Sequence, residues 1–187
     1  MEIIMIFGDP NHFAILIEYL SDWSTENGYR NGLFHFCIDG KLYPNSAKVA
    51  TLGGDILCLS DGNALVLPVE NNNIFNMEKK EAYFSMLKTM LPERAEPGKE
   101  VSDDFVTSYK YQASTYNLEN DCCYVFAVSN GSMIRILGAK LSVLNGNDDV
   151  GYHWEEILKP HITDIILEKE TVKNIVTSTI NYYSCLK

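Results

Sequence analysis

Two short apolar runs, Cys123 to Val128 and Met133 to Leu137, stand on either side of Ser129-Asn130-Gly131-Ser132. Asn-Gly between such runs closes an antiparallel pair, because these residues tolerate the left-handed backbone that a twisted hairpin requires. A second signal of the same kind runs from Leu33 to Ile38, turns at Asp39-Gly40 into Lys41-Leu42-Tyr43 and stops at Pro44. A chain with two such hairpins far apart in sequence must build antiparallel sheet, and its helices have to cover that sheet.

The remaining elements fit around this constraint. Glu2 to Phe7 is an apolar run closed by Gly8-Asp9-Pro10, and Phe13 to Leu20 reads as strand from its β-branched and aromatic content. Asn27-Gly28 and Asn31-Gly32 mark a loop. Leu52, Ile56 and Leu59 give Ala50 to Ser60 a helical period, ended by Asp61-Gly62. Ala64 to Val69 and Phe105 to Tyr116 read as strands, and so does Ile162 to Leu167. Glu78 to Leu91 is an amphipathic helix with Tyr83, Phe84, Leu87 and Leu91 on one face and Pro92 as its stop. Glu170 to Tyr183 is a closing helix whose stripe is Val172, Ile175, Val176, Thr179 and Ile180. The expected architecture is α+β: one domain over residues 1–187, a mainly antiparallel sheet packed with two or three helices.

Composition agrees and removes several functions. With 187 residues, 46% hydrophobic and 21% charged, the chain needs neither disulfide nor metal to hold a core. Fifteen Lys and Arg against twenty-five Asp and Glu leave a net charge of −10. That sign opposes binding to nucleic acid or to an anionic membrane. The five cysteines Cys37, Cys58, Cys122, Cys123 and Cys185 cannot all pair within the chain, and free thiols suit a reducing cytoplasm. The opening Met1 to Phe7 is too short for a signal peptide, and no run reaches the roughly 20 apolar residues of a membrane span. A cytoplasmic location is expected.

The motifs of catalysis are missing. No glycine stands in a G-x-G-x-x-G or Walker pattern, and Gly53-Gly54 reads as a packing or turn feature. His161 and Asp164 would share a face on a helix, yet Ile165-Ile166-Leu167 argues strand, which separates them and speaks against a metal site. No serine or cysteine sits in a nucleophile elbow. The adjacent acids Asp103-Asp104, Asp148-Asp149 and Glu155-Glu156 lack apolar surroundings to raise a pKa for acid–base work. No catalytic residue, cofactor or metal is expected.

Acids gather instead in three regions read as loops: Glu93 to Asp104, Glu119 with Asp121, and Asp148 to Glu156. Tyr109, Tyr111, Tyr116, Tyr152 and Trp154 lie beside them. Such a surface is either a solvated rim or an interface for a basic partner, in which aromatics anchor and acids speed encounter. On the second reading the contact residues are Asp103, Asp104, Glu119, Asp121, Asp148, Asp149, Tyr152, Trp154, Glu155 and Glu156.

The segment Met5 to Pro10, with Phe13-Ala14-Ile15, Glu18-Tyr19, Trp23, Asn31 to Phe36 and Ile38 to Pro44, resembles the opening of the immunity protein 42 family. The likeness continues in Thr51-Leu52, in Phe126 to Asn130 and in Ile134 to Gly138. The resemblance implies a bacterial immunity protein that binds its cognate toxin domain in the cytoplasm and blocks it. It carries over no catalytic residue and no contact residue. A one-to-one complex with a basic toxin domain is expected, a nuclease and first of all an RNase, since −10 suits an RNA-binding face. The rival readings are a small cytosolic hydrolase or transferase with an unrecognised site, and an acidic scaffold. Glu2-Ile3-Ile4 precede Met5, where a protein of this family is expected to begin.

Overall fold

The structure, a computed structural model, describes residues 4–25, 28–60, 62–149 and 151–186. Met1, then Glu2 and Ile3 of the expected first run, Asn27 of the expected loop and Asp61 of the expected helix stop lie outside these residues.

Every strand pair among the described residues is antiparallel. The first sheet runs β1 (Met5–Gly8), β2 (Phe13–Tyr19), β3 (Asn31–Ile38), β4 (Lys41–Tyr43), with β5 (Ala50–Thr51) also paired to β3. The β3–β4 turn holds Asp39 at φ 51° and Gly40 at φ 71°, the left-handed pair expected of Asp-Gly. The second sheet has the order β10-β7-β6, from β6 (Cys123–Asn130), β7 (Met133–Lys140) and β10 (Thr163–Glu168). A separate ribbon, β8 (Ser142–Asn147) with β9 (Gly151–Glu156), interrupts the connection from β7 to β10. The helices are α1 (Leu52–Cys58), α2 (Asn72–Asn76), α3 (Lys79–Met90), α4 (Pro92–Ala95), α5 (Tyr116–Asn120) and α6 (Lys169–Cys185).

The second sheet is the middle of the molecule. Side chains alternate across a strand, so β6 and β7 feed two apolar clusters. Val125, Ala127, Ile134 and Ile136 meet Phe13, Ile15, Phe34 and Phe36 of the first sheet, together with Leu52 of α1, Leu118 of α5 and Val172 and Val176 of α6. Phe126, Val128, Leu137 and Ala139 face the other way, onto Phe75 of α2 and Tyr83, Met86 and Leu87 of α3. Helix α3 starts where Glu78 accepts hydrogen bonds from the Lys80 and Glu81 amides. The glycines of α1 are a packing feature: a Cβ at Gly53 would stand 2.8 Å from the Tyr183 hydroxyl, and one at Gly54 3.3 Å from the Tyr116 ring.

Arg135, buried between the second sheet and α2, ties the layers together. Its guanidinium forks onto Asp164 of β10 (Nε–Oδ1 2.8 Å, Nη2–Oδ2 2.6 Å) and donates to the Phe75 and Met77 carbonyls, both at 2.7 Å. Asp164 is thus a partner for arginine, and His161 does not share its site.

Several expected strands or loops came out otherwise, among them the acidic loops, since Glu93 to Ala95 lie in α4 and Glu119 in α5. Ala64 to Val69 is a turn, because the Asn63 side chain accepts from the Leu65 amide and its carbonyl from Val66 and Leu67. Phe105 to Thr115 runs irregularly, bridged to β6 between Gln112 and Phe126, and Tyr116 opens α5. The Ala113 and Ser114 amides both converge on the Val125 carbonyl, which ends any ladder there. Asn145 to Asp149 and the stretch to Glu156 are mostly strand: Asn145 to Asn147 close β8 and Gly151 to Glu156 form β9, leaving Asp148 and Asp149 in the turn. Val150 lies outside the described residues.

Candidate functional site

The ribbon is built for exposure. All six residues of β9 are exposed, as are Leu144 to Asn147 of β8. Gly146 makes the pairing possible: at φ 125° any Cβ there would lie 2.0 Å from the Gly151 carbonyl oxygen. The ribbon is rooted by Leu141, whose carbonyl accepts from the Ile157 amide at 2.9 Å. Cross-strand register sets Leu144 opposite Trp154 and Gly146 opposite Tyr152, so both aromatics and Leu144 share one face. Trp154 is 44% and Tyr152 61% exposed. Between residues 142 and 156 stand Asp148, Asp149, Glu155 and Glu156 and no Lys or Arg.

The expected contact residues divide into those the ribbon gathers and those it does not. Asp148 and Asp149 sit at the tip, where the Tyr152 hydroxyl donates to Asp148 at 3.3 Å. Glu155 accepts from the Asn145 amide group across the ribbon, and Glu156 is exposed at its base. Asp103 and Asp104 are exposed as expected, but among the described residues no ion pair ties them to the ribbon. The segment leading to them does approach: Arg94, Ala95 and Pro97 share a groove of about 270 Å³ with Glu156 and Leu158. Within that segment Glu96 is engaged by Lys88 at 2.6 Å and Lys99 at 2.9 Å, which hold its carboxyl below its ordinary pKa.

Asp121 is a correction. It is no exposed loop acid but 2% exposed, its carboxylate taken by Lys48 and, at 2.5 Å, by Lys140. A buried carboxylate must be paired, and these two lysines pair it twice over. Glu119 is half-buried as well; burial pushes its carboxyl pKa up, against a hydrogen bond from Gln112 that lowers it. Tyr111, expected near the acidic surface, is 3% exposed and lies in the cluster under α3. Lys48 joins the interior to the ribbon, since its ammonium also stands 5.6 Å from the centre of the Trp154 ring.

Residues the sequence reading missed are Leu144, Lys48 and the lysines around the ribbon's root. Tyr152-x-Trp154, with period two, was the available strand signal; the Gly, Asn and Asp around it hid it. No short-range pattern marks Lys48 or Lys140, because they meet at Asp121 only through the fold.

Burial raises the thiol pKa of Cys37 and Cys58 and pushes that of Cys123 up to about 12. A thiol held protonated is a poor nucleophile. Burial likewise raises Asp55, which accepts from the Asn117 amide at 2.9 Å and so caps α5. Among the described residues no three His, Cys, Asp or Glu side chains cluster as a metal site, and no helix is long and apolar enough to cross a membrane.

An α+β body with one projecting, acidic, aromatic hairpin is a protein that presents a surface. The chain matches the model of the family described as Immunity protein 42 over residues 5–182. It belongs to that family. Among solved structures, the crystal structure of CdiI from Burkholderia dolosa AUO158 is similar, with a TM-score of 0.65 and 19% identity. The match covers 95% of this chain and 99% of that one, a likeness of fold. No curated protein matches the chain by sequence.

Proposed function

We propose that this protein neutralises a cognate toxin domain in the cytoplasm by one-to-one binding, without turnover, and that the β8–β9 ribbon is the principal contact. The observation that carries the reading is the ribbon itself. It buries almost nothing, yet it keeps two aromatics on one face and four acids without a countercharge of their own. Family membership supplies the class of partner. The acids favour a basic toxin, a nuclease and first an RNase, whose substrate-binding face is cationic. The contact set is Asp148, Asp149, Tyr152, Trp154, Glu155 and Glu156, with Asp103 and Asp104 as outlying contacts. Asp121, being interior, acts on the ribbon through Lys48, and Glu119 is at most peripheral.

Specific interfaces usually bury about 1,600 Å² in total. Within one, the acids act on association and a desolvated aromatic on dissociation. Reversing Asp148, Asp149, Glu155 and Glu156 to Lys is expected to cut the on-rate several-fold at low salt and less at high salt, with unchanged circular dichroism. An unchanged on-rate in the folded variant would move the docking site elsewhere. Co-expression supplies the functional arm: the wild-type chain rescues growth from its own toxin and not from unrelated ones.

A further inference from the structure

Beside the root of the acidic ribbon lies a groove of opposite sign. It has a volume of about 620 Å³, and Lys41, Lys140, Lys159 and His161 line it with no Asp or Glu side chain among the lining residues. In a chain whose acids outnumber its bases twenty-five to fifteen, this is a local inversion of charge.

The Asp121 cluster explains part of it. One carboxylate is shared by Lys48 and Lys140, so the cluster keeps one positive charge in excess, and Lys140 presents it to the groove. Lys41 and Lys159 are exposed and have no ion-pair partner among the described residues. Three positive charges therefore converge: one from the cluster and one from each free lysine. Leu42, Val143 and Ile157 add apolar surface to the same groove. Val143 belongs to β8 and Ile157 closes the ribbon's root, so groove and ribbon form one continuous surface.

We propose that this groove receives an acidic side chain of the toxin domain, and that it fixes the orientation in which the toxin docks. The proposal rests on the ribbon reading above. A partner drawn in by the ribbon is basic, and a uniformly basic face laid across the ribbon's root would be repelled by the groove. The arrangement is favourable only if the partner carries a carboxylate there, on an aliphatic stem that the apolar lining accepts. A charge pattern of both signs selects one partner in one register, which a single-sign surface cannot do.

The test is binding of the toxin domain encoded beside this chain, measured by surface plasmon resonance against the wild type, Lys41→Glu/Lys159→Glu, Lys41→Gln/Lys159→Gln and the quadruple ribbon reversal. Both lysines are exposed and unpaired, so thermal unfolding should match the wild type. The expected result is a loss of affinity of about ten-fold or more for the Glu pair, a smaller loss for the Gln pair, and most of it in the off-rate. Equal or tighter binding by the Glu pair would overturn the proposal, since added acids should help against a uniformly basic toxin. If the ribbon reversal weakens binding while the Glu pair does not, the groove assignment falls and the ribbon reading stands. Absence of wild-type binding overturns both.

Discussion

Two hairpins follow one another in this chain and have opposite fates. In β6–β7 all but Tyr124, Asn130, Met133 and Lys140 are buried, and the sheet they form is covered on both faces. In β8–β9, which starts two residues after β7 ends, one entire strand is exposed. The first is held by what its side chains touch, so nearly each of its positions is dictated by packing. The second is held by backbone pairing, a glycine at a close approach and a latch at its root. An isolated two-stranded hairpin is marginal in water, so the ribbon borrows its order from the body through the Leu141–Ile157 bond and the Lys48–Trp154 contact. The difference teaches where packing dictates the side chain and where it leaves the side chain free to vary.

The comparison can be broken most sharply at Arg135 in β7. Arg135→Ala strips Asp164 of its cation and two carbonyls of their donor, and is expected to cost about 3–5 kcal/mol. Thermal unfolding should fall by on the order of 10 °C; a shift of under about 2 °C would mean that the layers do not depend on this side chain.

Trp154→Ala in β9 is the counterpart. Its expected cost to stability is below about 1 kcal/mol, as for exposed positions generally. Its cost to toxin binding should reach about 2 kcal/mol, read as a faster off-rate. A variant that loses stability and keeps affinity would reverse the roles assigned to the two hairpins.

The smallest expected effect is a pH dependence from Glu119, at the border between interior and surface. Burial raises its folded pKa above the unfolded value, so the native state takes up the proton first. This group's contribution is therefore most favourable at low pH and declines as pH rises through the folded pKa. Glu119→Gln should gain stability relative to the wild type at pH 7, and the gap should narrow as pH falls into the carboxylate range. Urea denaturation at both pH values measures it; a gap that widens on acidification would show that the hydrogen bond with Gln112, and not burial, governs the group.

Much of the body was legible because its signals are local. Asp39-Gly40 announces its turn and the stripe of α6 its buried face. The hairpin marked by Asn130-Gly131, by contrast, turns one residue later, at Gly131-Ser132. The stripe expected of α3 holds Tyr83 and Leu87 but takes in the half-buried Phe84 and Leu91 and omits Met86 and Met90. The turn at Asn63 was not legible, since a side chain competing for backbone amides overrides an apolar run. The candidate site was legible as composition and not as structure. Tyr152, Trp154 and their neighbouring acids were found as a group, but strand pairing gave the two aromatics and Leu144 a common face, with Glu155 on the other. Asp121 shows the limit most clearly: two adjacent cations from distant segments turn an apparently exposed acid into part of the interior, and its surroundings from acidic to basic.

Helix α6 carries a consequence for the making of the protein. It touches β1, β2, β10 and α1, and its Val172 and Val176 complete the cluster between the two sheets. Yet it leaves the ribosome after every element it covers. At roughly 5–20 residues per second its seventeen residues take about one to three seconds to add. Until it is added, the apolar residues it covers on β1, β2 and α1 lack Val172, Ile175 and Val176 to pack against. A premature stop codon before Val172 would thus leave the whole β8–β9 ribbon encoded and still deprive the cluster between the two sheets of Val172, Ile175 and Val176.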